Sequence, residues 1–145
     1  MIKVVSTSFS PKGGAGIVAG LLSEYCNVAK DVQLTTRYGL RDSRIGARNS
    51  GFLLTSIGDR YAVQNAKSRK LGIFSSLRTE SSVITARELE KFDVLHLHWP
   101  LGALGASKIR DFSSDSRKQL VITLHDMYFL TGGCHHSLNC EGFIS

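Results

Sequence analysis

The apolar residues of this 145-residue chain alternate between the spacing of a strand and the spacing of a helix. Short runs rich in apolar and β-branched residues predict strands at 2–8, 31–39, 93–99 and 119–125. Between them, apolar residues at helical spacing predict helices at 16–30, 85–92 and 101–112. Strands that alternate with helices favour an α/β fold, with a mostly parallel sheet flanked by helices. Residues 40–82 are polar and basic with short apolar islands, and we expect loops and irregular helix there.

The predicted helix at 85–92 carries a start signal. Thr85 suits the N-cap position, and Glu88 follows three residues later, which is the spacing of a capping box. In that motif each side chain accepts a hydrogen bond from the backbone N–H of the other residue. We therefore expect Thr85 to cap this helix.

Composition narrows the class of protein. With 42% hydrophobic and 21% charged residues, the chain resembles an ordinary globular domain, and its length suffices for one domain with a core. No run approaches the roughly 20 apolar residues of a membrane-spanning helix, and the N-terminus has too few for a signal peptide. Three cysteines argue against a disulfide framework. These features predict a cytoplasmic protein.

The formal net charge of +6 is concentrated in one part of the chain. Residues 37–78 contain nine arginine and lysine residues and two aspartates. Such a sector favours anionic partners, and we expect it to contact the inner membrane face peripherally; the alternative is a solvated loop region. Aromatic residues do not alternate with these charges as they do in single-strand binders, so we expect no nucleic-acid partner.

Three predicted strand ends carry unusual residues, and in open α/β sheets ligands bind at such ends. The first is followed by SPKGGAG, in which Gly13 and Gly14 allow close backbone approach and Lys12 adds a positive charge. This loop matches neither the dinucleotide-binding fingerprint nor the P-loop. It predicts contact with a phosphate or a sugar; the alternative is a tight strand-to-helix turn that needs small residues.

The second strand end reads HLHW. Residues two apart in a strand share a face, so His96 and His98 lie on the same side, where a doubly covered strand should be apolar. We interpret His96 as a hydrogen-bonded core histidine. His98 lies nearer the end of the strand and is the better candidate to face a cleft. A metal site at this pair is a weaker alternative, because no third ligand is adjacent.

The third strand end is His125 followed by Asp126. An imidazole there can donate to or accept from a substrate hydroxyl, and the carboxylate can orient the ring or bind a hydroxyl itself. Sugars are recognised by such groups. A Ser–His–Asp hydrolase is the rival interpretation, but the chain has no G-x-S-x-G motif.

The segment GGCHHSLNC places four zinc-ligand types close together. They are Cys134, His135, His136 and Cys140. Their spacing differs from the usual C-x₂₋₄-C pattern, so a zinc ion would need further ligands from elsewhere. The alternative is a pair of free buried thiols. Cys26 lies within the first predicted helix, and we interpret it as a core residue.

Three motifs together carry a resemblance to a known family. They are VSTSFSPKGGAGI, FDVLHLHW and VITLHDMYFLTGGCHHSLNC. The combination resembles the bacterial GT-B glycosyltransferases of family 4, most of all the branch used in exopolysaccharide and colanic-acid-type assembly. The match covers the first thirty residues and roughly residues 92–140. The last motif is the most specific, because few sheets follow TLHD with TGGCH.

The resemblance implies that residues 1–145 form the N-terminal, acceptor-side Rossmann-like domain of a two-domain enzyme, and that this domain is incomplete. The C-terminal donor-binding domain, with its E-x₇-E motif, has no counterpart in these residues. The whole enzyme would be a retaining hexosyltransferase of polysaccharide biosynthesis. It would move a sugar from a nucleotide-sugar donor to a glycan or lipid-linked acceptor without a metal ion in the chemistry. A structural zinc ion is the one cofactor that the cysteines and histidines suggest.

The same resemblance assigns roles to single residues. Gly13 and Gly14 match a loop near the donor phosphates, and His125 matches a histidine that contacts the donor sugar and organises the reactive centre. His98 and Asp126 would line the cleft. The cysteines match an insertion of structural role. Relatives show HDMWPFTGGCHYS where this chain has HDMYFLTGGCHHS, so the local turn here lacks the proline.

Other functions fit the same residues. One is a non-catalytic sugar- or nucleotide-binding module, or a truncated inactive gene product, that uses the same cleft. A second is a small metal-binding protein built on the terminal cysteines and histidines. An E-x₇-E domain encoded after residue 145 would favour the enzyme, and a stop codon would favour the module. Zinc near one per chain would favour the metal-binding protein.

Overall fold

The computed structural model describes residues 1–39, 61, 64, 83–100, 103–131 and 134–136. In chain order the elements are β1 (Ile2–Ser8), α1 (Gly14–Val28), β2 (Val32–Tyr38), α2 (Ala86–Leu89), β3 (Val94–Leu97), α3 (Ala106–Ser113), β4 (Gln119–Ile122) and α4 (Tyr128–Thr131). Every predicted strand and helix is present with shifted ends, whereas α4 was not predicted. The expectation of loops and irregular helix over 40–82 falls almost wholly outside the described residues.

The four strands form one parallel sheet in the order β2-β1-β3-β4. This confirms the prediction of an α/β fold with a parallel sheet. The chain runs from β1 outward to β2, and then returns to the other side of β1 to place β3 and β4. The strand order therefore reverses between β1 and β3, and ligands of open α/β sheets bind at the carboxyl side of such a reversal.

One face of the sheet carries the hydrophobic core. Val5 of β1 and Leu95 of β3 are paired in register, and both are fully buried with Leu97. Leu89 of α2 and Phe112 of α3 cover them, since both belong to the same cluster of buried side chains. These apolar contacts fix β3, and so they fix the place where the chain leaves the sheet at its carboxyl end.

The opposite face is polar along β1 and β3, and α1 covers part of it. Ser6 is in register with Thr36 of β2 and with His96 of β3, so the three side chains share this face. The Thr36 hydroxyl donates to the Ala19 carbonyl of α1 at 3.4 Å, and Tyr38 donates to the carbonyl of Gly16 at the same distance. The helix approaches closely because its inward residues are small.

The face of α1 that packs against the sheet is not the face that carries most of its apolar residues. The residues at apolar helical spacing are exposed: Ile17, Val18, Leu21, Tyr25 and Val28. Cys26 is half-buried and has a free thiol, so its interpretation as a core residue is only partly correct. The sheet side is held instead by Ser23 and Asn27, whose side chains bond the backbone of Leu34.

A helix can cross a bilayer only if it is both long and apolar. In the part of the chain that the structure describes, no helix is both long enough and apolar enough to cross a bilayer.

Candidate functional site

A cavity of about 670 Å³ opens at the carboxyl ends of β1, β3 and β4. The residues singled out in the sequence that line it are Lys12, Gly13, Gly14, His125, Asp126, His135 and His136. The other lining residues are Ser8, Phe9, Ser10, Ala15, Gly16 and Trp99. The structure thus brings the glycine loop and the His125–Asp126 pair to one hollow, although they lie in distant parts of the sequence.

The glycine loop has this course because two of its positions exclude other residues. Gly13 has φ 99°, a left-handed conformation that favours glycine, and its carbonyl accepts the first helical hydrogen bond of α1, from Ile17 N at 3.0 Å. A Cβ on Gly16 would collide with the backbone carbonyl of Ser10. The loop is therefore folded tightly against the start of the helix.

The loop presents positive electrostatic potential to the cavity. The first backbone N–H groups of a helix have no partner within the helix, and the helix dipole adds partial positive charge at that end. Gly14 and Ala15 lie in this first turn and line the cavity, and Lys12 is exposed beside them. This wall suits an anionic oxygen, such as one of a phosphate.

His125 is supported from below by His98. The exposed His125 ring lies on the cavity wall, and its Nε2 is 3.0 Å from Nδ1 of His98. His98 is only 1% exposed and does not belong to the cavity wall, so the expectation that it lines the cleft is wrong. The reason is register: β3 and β4 are adjacent, and their pairing brings the ring of His125, just after β4, against the ring of His98, just after β3.

His96 is hydrogen-bonded, as the sequence suggested, but it is half-buried and does not belong to the core. Its Nε2 is 2.8 Å from the hydroxyl oxygen of Thr123. Its pKa is lowered because burial disfavours the charged ring, with a smaller contribution from His125. The pairs His96–Thr123 and His98–His125 repeat at a two-residue step along β3 and the end of β4, as side chains on one face of a sheet do.

His98 is the most strongly perturbed histidine among the described residues. Burial is the main cause that lowers its pKa to about 4, and charge repulsion from the neighbouring rings of His96 and His125 contributes the rest. The His98 ring is therefore neutral near pH 7. Its Nε2 is buried and has no hydrogen-bond partner among the described residues.

Asp126 holds a histidine ring, but it is the ring of His135. One carboxylate oxygen accepts from His135 Nδ1 at 2.7 Å, and the other accepts from the backbone N–H of Tyr128 at 2.8 Å. The backbone N–H of Met127 donates to the His135 carbonyl at 3.2 Å, which folds the chain back beside α4. Asp126 is thus committed to local structure as well as to the cavity wall.

Aromatic rings complete this side of the cavity. The ring of His135 stacks on Trp99 with centroids 4.8 Å apart and an interplanar angle of 16°. Tyr128 stacks on the same imidazole at 5.5 Å. Flat apolar surface beside hydrogen-bonding groups is the usual composition of a small-molecule site.

Cys134 and His135 are both buried, and the thiol of Cys134 is free. Within the described ranges, no three Cys, His, Asp or Glu side chains come together as a group that could hold a metal ion. Nδ1 of His135 already bonds Asp126. Cys140 lies outside the described residues, so the zinc site stays a prediction.

Sequence reasoning missed the partners of the site histidines. It placed His98 and His125 at the ends of two strands but did not pair them, although adjacent parallel strands bring such ends together. It also gave no role to Trp99, which lines the cavity. The pairing of Asp126 with His135 depends on α4 and the return of the chain, which no local pattern indicated.

Comparison of the chain with protein-family models, with curated proteins and with solved structures finds no match.

Proposed function

We propose that this chain is the N-terminal, acceptor-side domain of a retaining GT-B glycosyltransferase, and that its cavity receives the sugar and diphosphate of a nucleotide-sugar donor. The observation that supports this proposal most is the shared cavity wall of the glycine loop and His125. The resemblance of the three sequence motifs assigns these two features to the two parts of one donor. They also line one cavity at the reversal of strand order.

The diphosphate would lie against the glycine loop. Negative charge grows on the diphosphate as its bond to the sugar breaks, so groups that bind it more tightly in the transition state accelerate transfer. The amides at the start of α1 and the ammonium group of Lys12 supply such stabilisation. Fixed backbone dipoles need no reorganisation during the reaction.

The sugar would lie toward His125, Asp126 and Trp99. The imidazole of His125 is exposed to the cavity and can bond a ring hydroxyl, and the indole of Trp99 offers apolar surface to the sugar ring. Asp126 keeps His135 in place beside them. Positioning of this kind lowers the entropic part of the barrier to transfer.

The proposed reaction exchanges one bond to the anomeric carbon for another. An acceptor hydroxyl oxygen forms a bond to that carbon, and the bond from the carbon to the diphosphate oxygen breaks with its electron pair. The nucleoside diphosphate leaves, and the hydroxyl proton passes to its departing oxygen. The new glycosidic bond forms on the same face of the sugar, so the anomeric configuration is retained.

The test is His125→Ala in the complete enzyme, measured with a panel of sugar nucleotides. Removal of a positioned imidazole should lower turnover by about a hundredfold or more. The loss of stability should be much smaller, because His125 is exposed and its one hydrogen bond among the described residues is to His98. Leu124→Ala is the matched control. Leu124 is the preceding residue, is 51% exposed and lies outside the cavity wall, so transfer should be unchanged.

Three outcomes would contradict the proposal. Unchanged transfer by His125→Ala at equal stability would remove the catalytic role. Efficient transfer by residues 1–145 alone would remove the two-domain part of the proposal. Tight binding of a sugar nucleotide by a complete protein that transfers nothing would favour the binding module.

A further inference from the structure

The contact between His98 and His125 decides which ring nitrogen of His125 is available to a ligand. Nε2 of His125 is 3.0 Å from the buried His98. His125 lines the cavity, and it has no other hydrogen bond with the described residues. Nδ1 is therefore the nitrogen left for a ligand in the cavity. Whether Nδ1 donates or accepts depends on the position of the proton that the two rings share.

Two arrangements of protons satisfy the contact between the rings. In the first, Nδ1–H of His98 donates to Nε2 of His125, and the neutral His125 carries its proton on Nδ1. In the second, Nε2–H of His125 donates to Nδ1 of His98, and the neutral His98 carries its proton on Nε2. A neutral imidazole has one N–H, so each arrangement fixes both tautomers.

The surroundings of His98 distinguish the two arrangements. Nε2 of His98 is buried and has no hydrogen-bond partner among the described residues. The second arrangement would leave a buried N–H without an acceptor, which is rarer and more costly in proteins than a buried acceptor without a donor. A doubly protonated His98 would carry the same unpaired N–H, and burial together with repulsion from the neighbouring rings lowers its pKa to about 4.

We propose that His98 is a positioning residue that keeps the proton of His125 on Nδ1, so that His125 presents a hydrogen-bond donor to the cavity. The ligand atom that meets it is then an acceptor, such as a sugar hydroxyl oxygen or a phosphate oxygen. The identity of that ligand rests on the proposed function, whereas the tautomer is a property of the free chain. A donor at this position also excludes His125 as the base that removes a hydroxyl proton.

The tautomers can be read directly in the 145-residue chain without ligand. Long-range proton–nitrogen NMR spectra of ¹⁵N-labelled protein, recorded above the titration range of histidine, distinguish the two tautomers for each ring. We expect the Nδ1–H form for both His98 and His125. A predominant Nε2–H form of His125 in the wild-type protein would overturn the proposal.

Variants test whether His98 is the cause. His98→Leu removes the donor, and the ratio of Nδ1–H to Nε2–H in His125 should fall about fivefold, the change expected for the loss of one hydrogen bond. His98→Asn keeps an amide N–H near the position of Nδ1 and should preserve the ratio. His96→Asn is the control, since His96 bonds Thr123 and not His125.

The outcomes separate this inference from the proposed function. An unchanged ratio in a folded His98→Leu protein would show that His98 does not set the tautomer. If His98→Leu does not fold, the wild-type and His98→Asn spectra still decide. A complete protein that transfers no sugar would contradict the proposed function and leave the tautomer result standing.

Discussion

At the scale of single residues, the polar face of β3 carries two histidines whose neutrality matters, the buried His98 and the half-buried His96. His98 lies between His96 and His125, with ring centroids 4.2 Å and 5.2 Å away. Three imidazoles this close cannot all carry charge, because repulsion adds to the cost of burial. His125 is therefore held by a ring, that of His98, which must stay neutral.

Acid should therefore destabilise the fold through His98. Its pKa is 6.5 in model compounds and about 4 in the folded protein, so the unfolded chain binds the proton first as pH falls. The contribution of His98 to stability should be constant above about pH 6.5 and should fall between there and pH 4, by at most about 1.4 kcal/mol per pH unit. Urea unfolding at a series of pH values measures this slope.

His98→Asn provides the comparison for that slope, because asparagine does not titrate. The variant should lose less stability than the wild type between neutral pH and about pH 4, with the remaining slope due to His96 and other groups. Equal slopes in the two proteins would mean that His98 has the same pKa in the folded and the unfolded state, which would contradict the prediction.

The glycine loop gives a second prediction at this scale. Gly16→Ala should destabilise the protein by about 1–3 kcal/mol, because the new Cβ meets the backbone of Ser10 and Pro11 and neither can move as a side chain does. Gly14→Ala is the matched control, since open space surrounds its Cβ position. That change should be neutral or slightly stabilising, as alanine is the better helix former. Similar losses at both positions, in chemical denaturation, would contradict the packing argument.

At the scale of elements, the capping box that the sequence predicted for α2 is present in the folded protein. Thr85 Oγ1 accepts from Glu88 N at 3.2 Å, and the Glu88 carboxylate accepts from Thr85 N at 2.9 Å. The bond from the Thr85 backbone is the main cause that lowers the pKa of Glu88. The cap matters beyond one turn because α2 carries Leu89 into the core.

Loss of the cap should cost measurable stability. Thr85→Ala should lower the free energy of unfolding by about 1 kcal/mol, since an amide of the first turn loses its partner. Thr85→Ser keeps the hydroxyl and should lose much less. Urea titration with an unchanged denaturant slope measures the difference. Equal stability of Thr85→Ala and Thr85→Ser would show that the hydroxyl contributes nothing.

The element α1 shows where sequence patterns are insufficient. The apolar spacing of Ile17, Leu21 and Tyr25 correctly predicts a helix, yet these side chains are exposed. The inward contacts come from polar and small residues such as Asn27, which bonds both the N–H and the carbonyl of Leu34. Among the described strands β2 is at the edge of the sheet, where unpaired backbone groups favour association with another strand, and Asn27 pairs two of the groups of β2. The spacing of apolar residues predicts that a helix forms, but the segments that pack against the helix determine which of its faces is buried.

At the scale of the whole molecule, the strand ends explain how much of the site the sequence could predict. The position of ligand-binding residues after parallel strands is a property of the fold class, so Gly13, Gly14, His125 and Asp126 could be selected before any coordinates. The partners of these residues depend on strand order and register. Neither can be read from one sequence, because both are set by packing between distant segments. His98 was therefore placed on the cavity wall when it lies beneath it.

The same assembly gives the last prediction, which concerns binding. If the cavity receives a diphosphate, a nucleotide sugar should raise the melting temperature of the chain, by an amount that grows with ligand concentration. Lys12→Ala should weaken binding roughly fivefold, about 1 kcal/mol, because Lys12 is an exposed charge. Lys3→Ala removes the same charge from the opposite end of β1 and should not alter affinity. Added salt should narrow the difference between wild type and Lys12→Ala, since screening weakens exposed charge pairs. Equal affinities of the two lysine variants at low salt would place the anion elsewhere.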